Sequence, residues 1–311
     1  MSKATVQFLN VGWGDAHLIH HPSGQLTLID GGDGSVDSEQ DHPLLWMIRN
    51  GKLKLDWMIL THIHEDHLNG LLDIAKALRV DKAILPYEPL ELPPQELAET
   101  LGTPQARGVY GMLFSYMELI RVLEEQGTEI KWRSRLNSED SSVVWSEAGV
   151  TLRHLYPWEG DPLPAWEVLA KAVGDHSAEG MVALESFFDL SNHDSSVYRL
   201  TEESLEEGGV LFGGDQLEPG WERLAKRTNL QCQIWKVAHH GMSDGLNVRL
   251  LELIKPKLGV IPVSEERGQP FRPYWEELRA SAGFAYWLTG NVPPGESRLL
   301  ADGPIRVEVG S

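Results

Sequence analysis

The chain contains a single cysteine, Cys232, in 311 residues. One thiol cannot build an internal disulfide framework, so the fold must rest on its core, as in a reducing compartment. Basic residues are also scarce. Lys and Arg total 27 against 46 Asp and Glu, a formal net charge of −19. A protein that grips long duplex DNA needs a basic footprint, and this acidity repels polyanions at long range. No apolar run approaches the ~18 residues of a membrane span, so neither a spanning segment nor a membrane partner is expected. The opening Met1-Ser2-Lys3-Ala4-Thr5 runs straight into a strand pattern with no signal-peptide core, and the expected location is cytoplasmic. Internal repeats and low-complexity tracts are missing. What remains is an ordinary globular composition, 41% hydrophobic and 23% charged, in a chain long enough to bury a large core.

The most informative segment is Thr61-His-Ile-His-Glu-Asp-His-Leu-Asn-Gly70. His62, His64, Asp66 and His67 place three imidazoles and a carboxylate within six positions. The apolar run Trp57–Leu60 reads as a buried strand ending at Thr61. His62 and His64, two apart, share a face if extended geometry continues. Asp66 and His67 then fall in the turn and first turn of the following helix. The spacing divides into His62/His64 for one metal and Asp66/His67 for a second. Such nitrogen and oxygen donors suit zinc, with manganese, iron or nickel as alternatives.

The rest of the chain alternates strands and helices, which predicts a layered α/β architecture. Strands are expected at Val6–Val11, His17–His20, Gln25–Asp30, Leu55–Thr61, Lys82–Pro86, Thr128–Arg133 and Val150–Tyr156. Further strands follow at Ser196–Leu200, Gly209–Gly213, Gln233–Ala238 and Leu258–Pro262, with three more near the C-terminus. Helices are expected at Pro43–Arg49, His67–Leu78, Pro93–Thr100, Arg107–Gln126, Ala165–Ala172, Gly220–Arg227, Asn247–Ile254 and Tyr274–Ser281. Met112, Tyr116, Leu119 and Val122 fall at helical spacing and read as core. Residues 158–186 read as a loop with one short helix, either a lid or a surface excursion. His17, His20, His21, His42, His154 and His176 show no ligand spacing and read as ordinary.

The H-x-H-x-D-H string after a strand resembles the metallo-β-lactamase superfamily. Phe8–Ala16, with Val11-Gly12-Trp13-Gly14-Asp15-Ala16, resembles the opening of the hydrolase domain in ComEC-type DNA-uptake (competence) proteins. Leu28–Gly32, Asn192–Val197, Leu211–Asp215 and Lys236–Ser243 resemble further blocks of that family, in order. The resemblance implies one metallo-β-lactamase-like domain over 1–311, a four-layer αββα sandwich, with insertions near 88–140 and 158–190. It also implies two metal ions, with Asp215 bridging them and Asp30, Asp15 and Asn192 supporting the ligands. Asn192 or His193 stands nearest to the superfamily's third histidine for the first metal, and His193 joins the candidate ligands. Where the ComEC-like histidine would follow, this chain has Gly268-Gln269-Pro270-Phe271-Arg272-Pro273, which leaves Arg272 as a substrate-binding candidate. His239 and His240 follow a strand, and adjacent strand residues point opposite ways. One of the two should face the metals, as a ligand or as a proton donor.

The implied reaction is hydrolysis by a metal-activated hydroxide, with Asp66, His239 and His240 as catalytic candidates. Phosphodiesters are the leading substrates, in short or single-stranded nucleic acid or a smaller nucleotide, with a protein partner to supply the missing basic surface. The alternatives are a lactone, ester or thioester hydrolase on the same site, or a partly inactive scaffold or regulatory subunit.

Overall fold

The structure, a computed structural model, describes residues 4–36, 40–202, 209–291, 298–299 and 305–309. Two mixed sheets face each other. The first holds β1 (Ala4–Phe8), β2 (His17–His20), β3 (Leu26–Ile29), β4 (Lys54–Ile59), β5 (Arg79–Leu85) and β6 (Glu129–Trp132) in that spatial order. The second runs from β7 (Val143–Glu147) through β8 (Val150–Tyr156), β9 (Val197–Glu202), β10 (Val210–Phe212), β11 (Ile234–Lys236) and β12 (Leu258–Ile261) to β13 (Tyr286–Leu288). Two late strands, β14 (Arg298–Leu299) and β15 (Ile305–Val309), return to the first sheet, where β15 pairs parallel with β1.

Three apolar layers follow from strand alternation. Val6, Ile19, Ile29, Ile59 and Ile84 of the first sheet meet Leu152, Leu200, Val210, Phe212 and Val260 of the second between the sheets. Leu28, Met58 and Ala83 point to the opposite face. There they pack on α1 (Pro43–Arg49), α2 (Glu65–Ala77), α3 (Gln95–Leu101), α4 (Pro104–Glu125), α5 (Pro164–Ala172) and α6 (Ala178–Leu190). Leu211 and Trp235 face outward under α7 (Glu218–Ala225), α8 (Val248–Ile254) and α10 (Arg272–Ala282). The four-residue helix α9 (Glu265–Gly268) is a single turn beside them. This is the αββα sandwich. Among the described residues, no helix is long and apolar enough to cross a membrane.

Two expectations need correction. Residues 158–186, expected as a loop with one short helix, hold α5 and most of α6, packed together. Ser177 caps α6 by accepting from Gly180 N, and Met181, Leu184 and Phe187 join the core. Gly180 and a weak apolar face hid this helix. Between residues 88 and 140, β6 extends the first sheet, and Met112, Tyr116 and Leu119 of α4 are buried. The edge strand β7 was missing from the sequence reading. It is short, bulged at Val143/Trp145, and follows a Ser- and Asp-rich turn.

His154 is fully buried in β8, where its Nδ1 donates to the Leu136 carbonyl at 2.8 Å. Burial, with Arg133 nearby, lowers its pKa from an ordinary 6.5 to about 3. Between those values the unfolded chain binds a proton that the folded chain refuses. The stabilisation is complete above pH 6.5 and is lost as pH falls towards 3. His154→Gln, which keeps a donor, should therefore flatten the acid limb of unfolding free energy by up to about 1.4 kcal/mol per pH unit. Urea unfolding at stepped pH reads this slope, and an unchanged slope would show that His154 is not held neutral.

Candidate metal centre

The functional side chains sit where strands of both sheets end. Asp30 follows β3, His62 and His64 follow β4, Asp215 follows β10 and His240 follows β11. Helix α2 begins two residues earlier than expected, so Glu65 and Asp66 lie in its first turn, favoured there by the helix dipole. Gly70 on α2 lies so close to Gly31 that a Cβ would collide with the Gly31 carbonyl. That close approach seats His67 beside Asp30.

Two groups of candidate ligands result, and Asp215 belongs to both. Asp15, His67, Asp215 and His240 form one, and His62, His64 and Asp215 form the other. Asp66 joins the first group through its Oδ2, which lies 3.0 Å from His240 Nε2 and 3.9 Å from His67 Nε2. Each imidazole is anchored through one nitrogen. His67 Nδ1 donates to Asp30 Oδ2 at 2.9 Å, and His240 Nδ1 donates to the Pro262 carbonyl at 3.2 Å. His62 Nδ1 meets Thr61 Oγ1 at 3.1 Å, a hydroxyl that itself donates to Asp30. His64 is anchored the other way round, its Nε2 donating to the Phe188 carbonyl at 3.1 Å. Such anchors fix the tautomer and aim the second nitrogen.

Apart from ion contacts within the cluster, the aimed atoms have no protein partner. His62 Nε2, His67 Nε2, His240 Nε2 and Asp215 Oδ1 are buried without a hydrogen bond. Buried polar atoms are almost always satisfied, so four converging orphans mark a ligand shell. The donors fit a dinuclear metal site of nitrogen and oxygen ligands.

Charge points the same way. Burial disfavours charge on His67 and His240, yet Asp215 and its neighbouring carboxylates outweigh burial. They raise His67 well above its usual range and push His240 up to about 10. Burial likewise opposes charge on Asp215, but His240 and His67 hold it well below the carboxylate range. The cluster therefore carries surplus negative charge that demands cations. One cation is built in. Lys236, fully buried at the end of β11, ion-pairs with Asp15 and donates to the Gly214 carbonyl at 2.7 Å.

Several residues stand elsewhere than the sequence suggested. The strand before the histidine pair stops at Lys236, so strand alternation does not separate them. His239 and His240 instead occupy a tight turn with φ of 47° and 48°. That left-handed backbone turns His240 in among the ligands and leaves His239 on the cleft wall, where its Nδ1 donates to Asp244 at 2.8 Å. Asp15, expected behind the ligands, lies among them but is claimed by Lys236. His193 is in neither ligand group; its carbonyl accepts from Gln216. Arg272 does not line the cleft because its guanidinium is paired with Glu265. Arg267 lines it instead. Asn192 lines it too, with Nδ2 3.1 Å from His239 Nε2. His17, read as ordinary, lies 3.5 Å from Asp15 beneath the centre.

Sequence reasoning missed three contributors. Lys236 had a signal, a charge inside the apolar run Ile234-Trp235-Lys236-Val237. Ser195, whose Oγ accepts from Asp215 N at 2.9 Å, lay within the Asn192–Val197 block but had no assigned role, and Phe188, stacked on His64 at 4.4 Å, had no signal. The cleft above the centre holds about 490 Å3, with Trp13 and Phe188 among its walls.

The sequence matches the family model described as the metallo-beta-lactamase superfamily over residues 10–264. No curated protein matches the chain. Among solved structures, the chain is similar to a diphosphatase from the PhnP family, at 14% identity and a TM-score of 0.41, over 88% of this chain and 81% of that one. It is similar to Igni18, a metallo hydrolase from the archaeon Ignicoccus hospitalis, at 11% identity and a TM-score of 0.45, over 94% and 96%. It is also similar to Zn(2+)-bound PqqB from Methylobacterium extorquens, at 10% identity and a TM-score of 0.44, over 88% and 85%.

Asp30 carries no ligand atom in either group, yet it holds His67 and Thr61. Asp30→Asn should weaken metal affinity about 10- to 100-fold, as is usual when a ligand's supporting partner is lost. Competition with a chelator measures this, and unchanged affinity would remove Asp30 from the design.

Proposed function

Because the chain belongs to the metallo-β-lactamase superfamily, we propose that it is a metal-dependent hydrolase of phosphodiester bonds, ComEC-like in type. The observation that carries the reading is the convergence of orphaned ligand atoms on Asp215 at the floor of an open cleft. His62, His64 and Asp215 would hold one divalent ion, and Asp66, His67, Asp215 and His240 the other. When bound, such ions act as Lewis acids and lower the pKa of water to about 7. Zinc is the leading choice.

The protein's own groups do the rest. Asp66 is the most exposed carboxylate of the centre, with 21% of its side chain accessible from the cleft. It is placed to accept a proton-bearing bond from the attacking water and so to aim it. Arg267 lies at the cleft mouth and makes no ion pair among the described residues. Its planar fork suits two phosphoryl oxygens. Trp13 and Phe188 wall the cleft. Ser195 is no nucleophile, since its Oγ is committed to Asp215 N.

The mouth also carries Asp33, Glu65 and Asp189. Together with the net charge of −19, these favour a small or single-stranded phosphodiester over long duplex. A partner protein with a basic surface would extend the reach to longer nucleic acid.

Two measurements test this reading. Protein purified without chelators should carry zinc, manganese, iron or nickel and should hydrolyse bis-p-nitrophenyl phosphate. Asp66→Ala should keep its circular dichroism spectrum and lose turnover by several orders of magnitude, on the order of 10³-fold. Arg267→Gln should raise KM more than it lowers kcat, and Arg272→Gln should change neither by more than about twofold. Wild-type turnover in Asp66→Ala would contradict the mechanism. Equal effects at the two arginines would contradict the assignment of Arg267.

A further inference from the structure

The group containing His62, His64 and Asp215 supplies three protein ligands, which leaves further coordination positions for water or for another side chain. Asn192 stands at its edge with an unexplained atom. The residue is 8% exposed and lines the same cleft as His64 and Asp215. Its Oδ1 is fully buried and has no hydrogen-bond partner. An unsatisfied buried amide oxygen costs about 1–3 kcal/mol, so its persistence calls for a ligand.

The orientation of that amide follows from its neighbours. His239 Nδ1 lies 2.8 Å from Asp244 Oδ1, and a carboxylate only accepts, so Nδ1 carries the proton. Asn192 Nδ2 faces the other ring nitrogen at 3.1 Å, and an amide N–H only donates, so Nε2 is the acceptor. The amide oxygen is thereby turned away from His239, on a side chain that lines the cleft. Asp244, His239 and Asn192 form a chain of donors that ends in a free acceptor. The left-handed turn at His239 is what brings this ring to Asn192.

We infer that Asn192 Oδ1 is a further ligand of the first metal position, and that His239 and Asp244 are positioning residues that aim it. This rests on the two-ion reading of the cleft and not on the phosphodiester. It also accounts for His239, which the hydrolytic site leaves unused. Two imidazoles, one carboxylate and one amide oxygen make a harder donor set than a three-histidine site. Relative affinity should shift away from zinc and towards manganese at this position.

Equilibrium dialysis of the full-length protein against zinc alone and manganese alone, with elemental analysis, tests the assignment. Circular dichroism serves as the folding control. The wild type should hold two ions per chain. Asn192→Leu should hold one, and Asn192→His should hold two with zinc bound at least tenfold more tightly at the weaker site. His239→Leu should weaken that site about 10- to 100-fold, because an aiming partner is lost while the ligand remains. A wild type that binds one ion, or Asn192→Leu that binds two with unchanged affinity, overturns the ligand. If Asn192→Leu loses an ion and His239→Leu does not weaken it, the aiming chain is overturned. Asn192→His reports on the position even if Asn192→Leu fails to fold. Two ions bound as expected, with no phosphodiester hydrolysed, would leave this inference standing and sink the proposed activity.

Discussion

The structure depends on one electrostatic constraint. Asp15, Asp30, Asp66 and Asp215 converge within reach of His67, and among the described residues Lys236 is the one lysine or arginine that pairs within the cluster. Buried charge of one sign is among the costliest arrangements a fold can hold. Everything nearby serves to make it tolerable. Asp30 accepts three bonds, from Thr61 N, Thr61 Oγ1 and His67 Nδ1. Asp215 is capped by Ser195 and shared between His67 and His240. The remaining deficit is what divalent cations would balance.

The sandwich makes this convergence reachable. Each contributing strand is short and ends at the same edge, and the next residues leave the strand in a tight turn. Backbone conformations uncommon for side-chain-bearing residues occur where these turns are sharpest. Asp30 has φ of 58°, and His239 and His240 are left-handed as well. Such positions cost of order 1–3 kcal/mol each and persist where surrounding packing over-determines them. Here that packing is the apolar layer between the sheets, including Ile29, Ile59 and Phe212, one to three residues from Asp30, His62 and Asp215. Mutations in that layer would disturb the centre without touching it.

Much of this was legible in the chain itself. The H-x-H-x-D-H string lies where one strand hands over to one helix, so its geometry is local and periodicity suffices to read it. Asp30 and Asp215 end apolar runs next to glycines, again a local pattern. The illegible parts are contacts across the sandwich. Phe188 reaches His64 from 124 positions away, and Ser195 reaches His62 from 133. Arg267 and Arg272 look alike in sequence; only the pairing of Arg272 with Glu265 separates them. For the histidine pair, the expected strand alternation was the wrong mechanism. A left-handed turn does the sorting, and single-sequence patterns do not mark left-handed histidines.

The central claim is that the buried acidic cluster is a two-ion centre pivoting on Asp215. Anomalous diffraction from crystals grown with zinc or manganese tests it most directly. Two peaks are predicted in the cleft, one against His62 and His64, the other against His67, Asp66 and His240, with Asp215 touching both. A cleft without metal peaks in crystals soaked with either ion, or ions bound away from Asp215, would contradict the account.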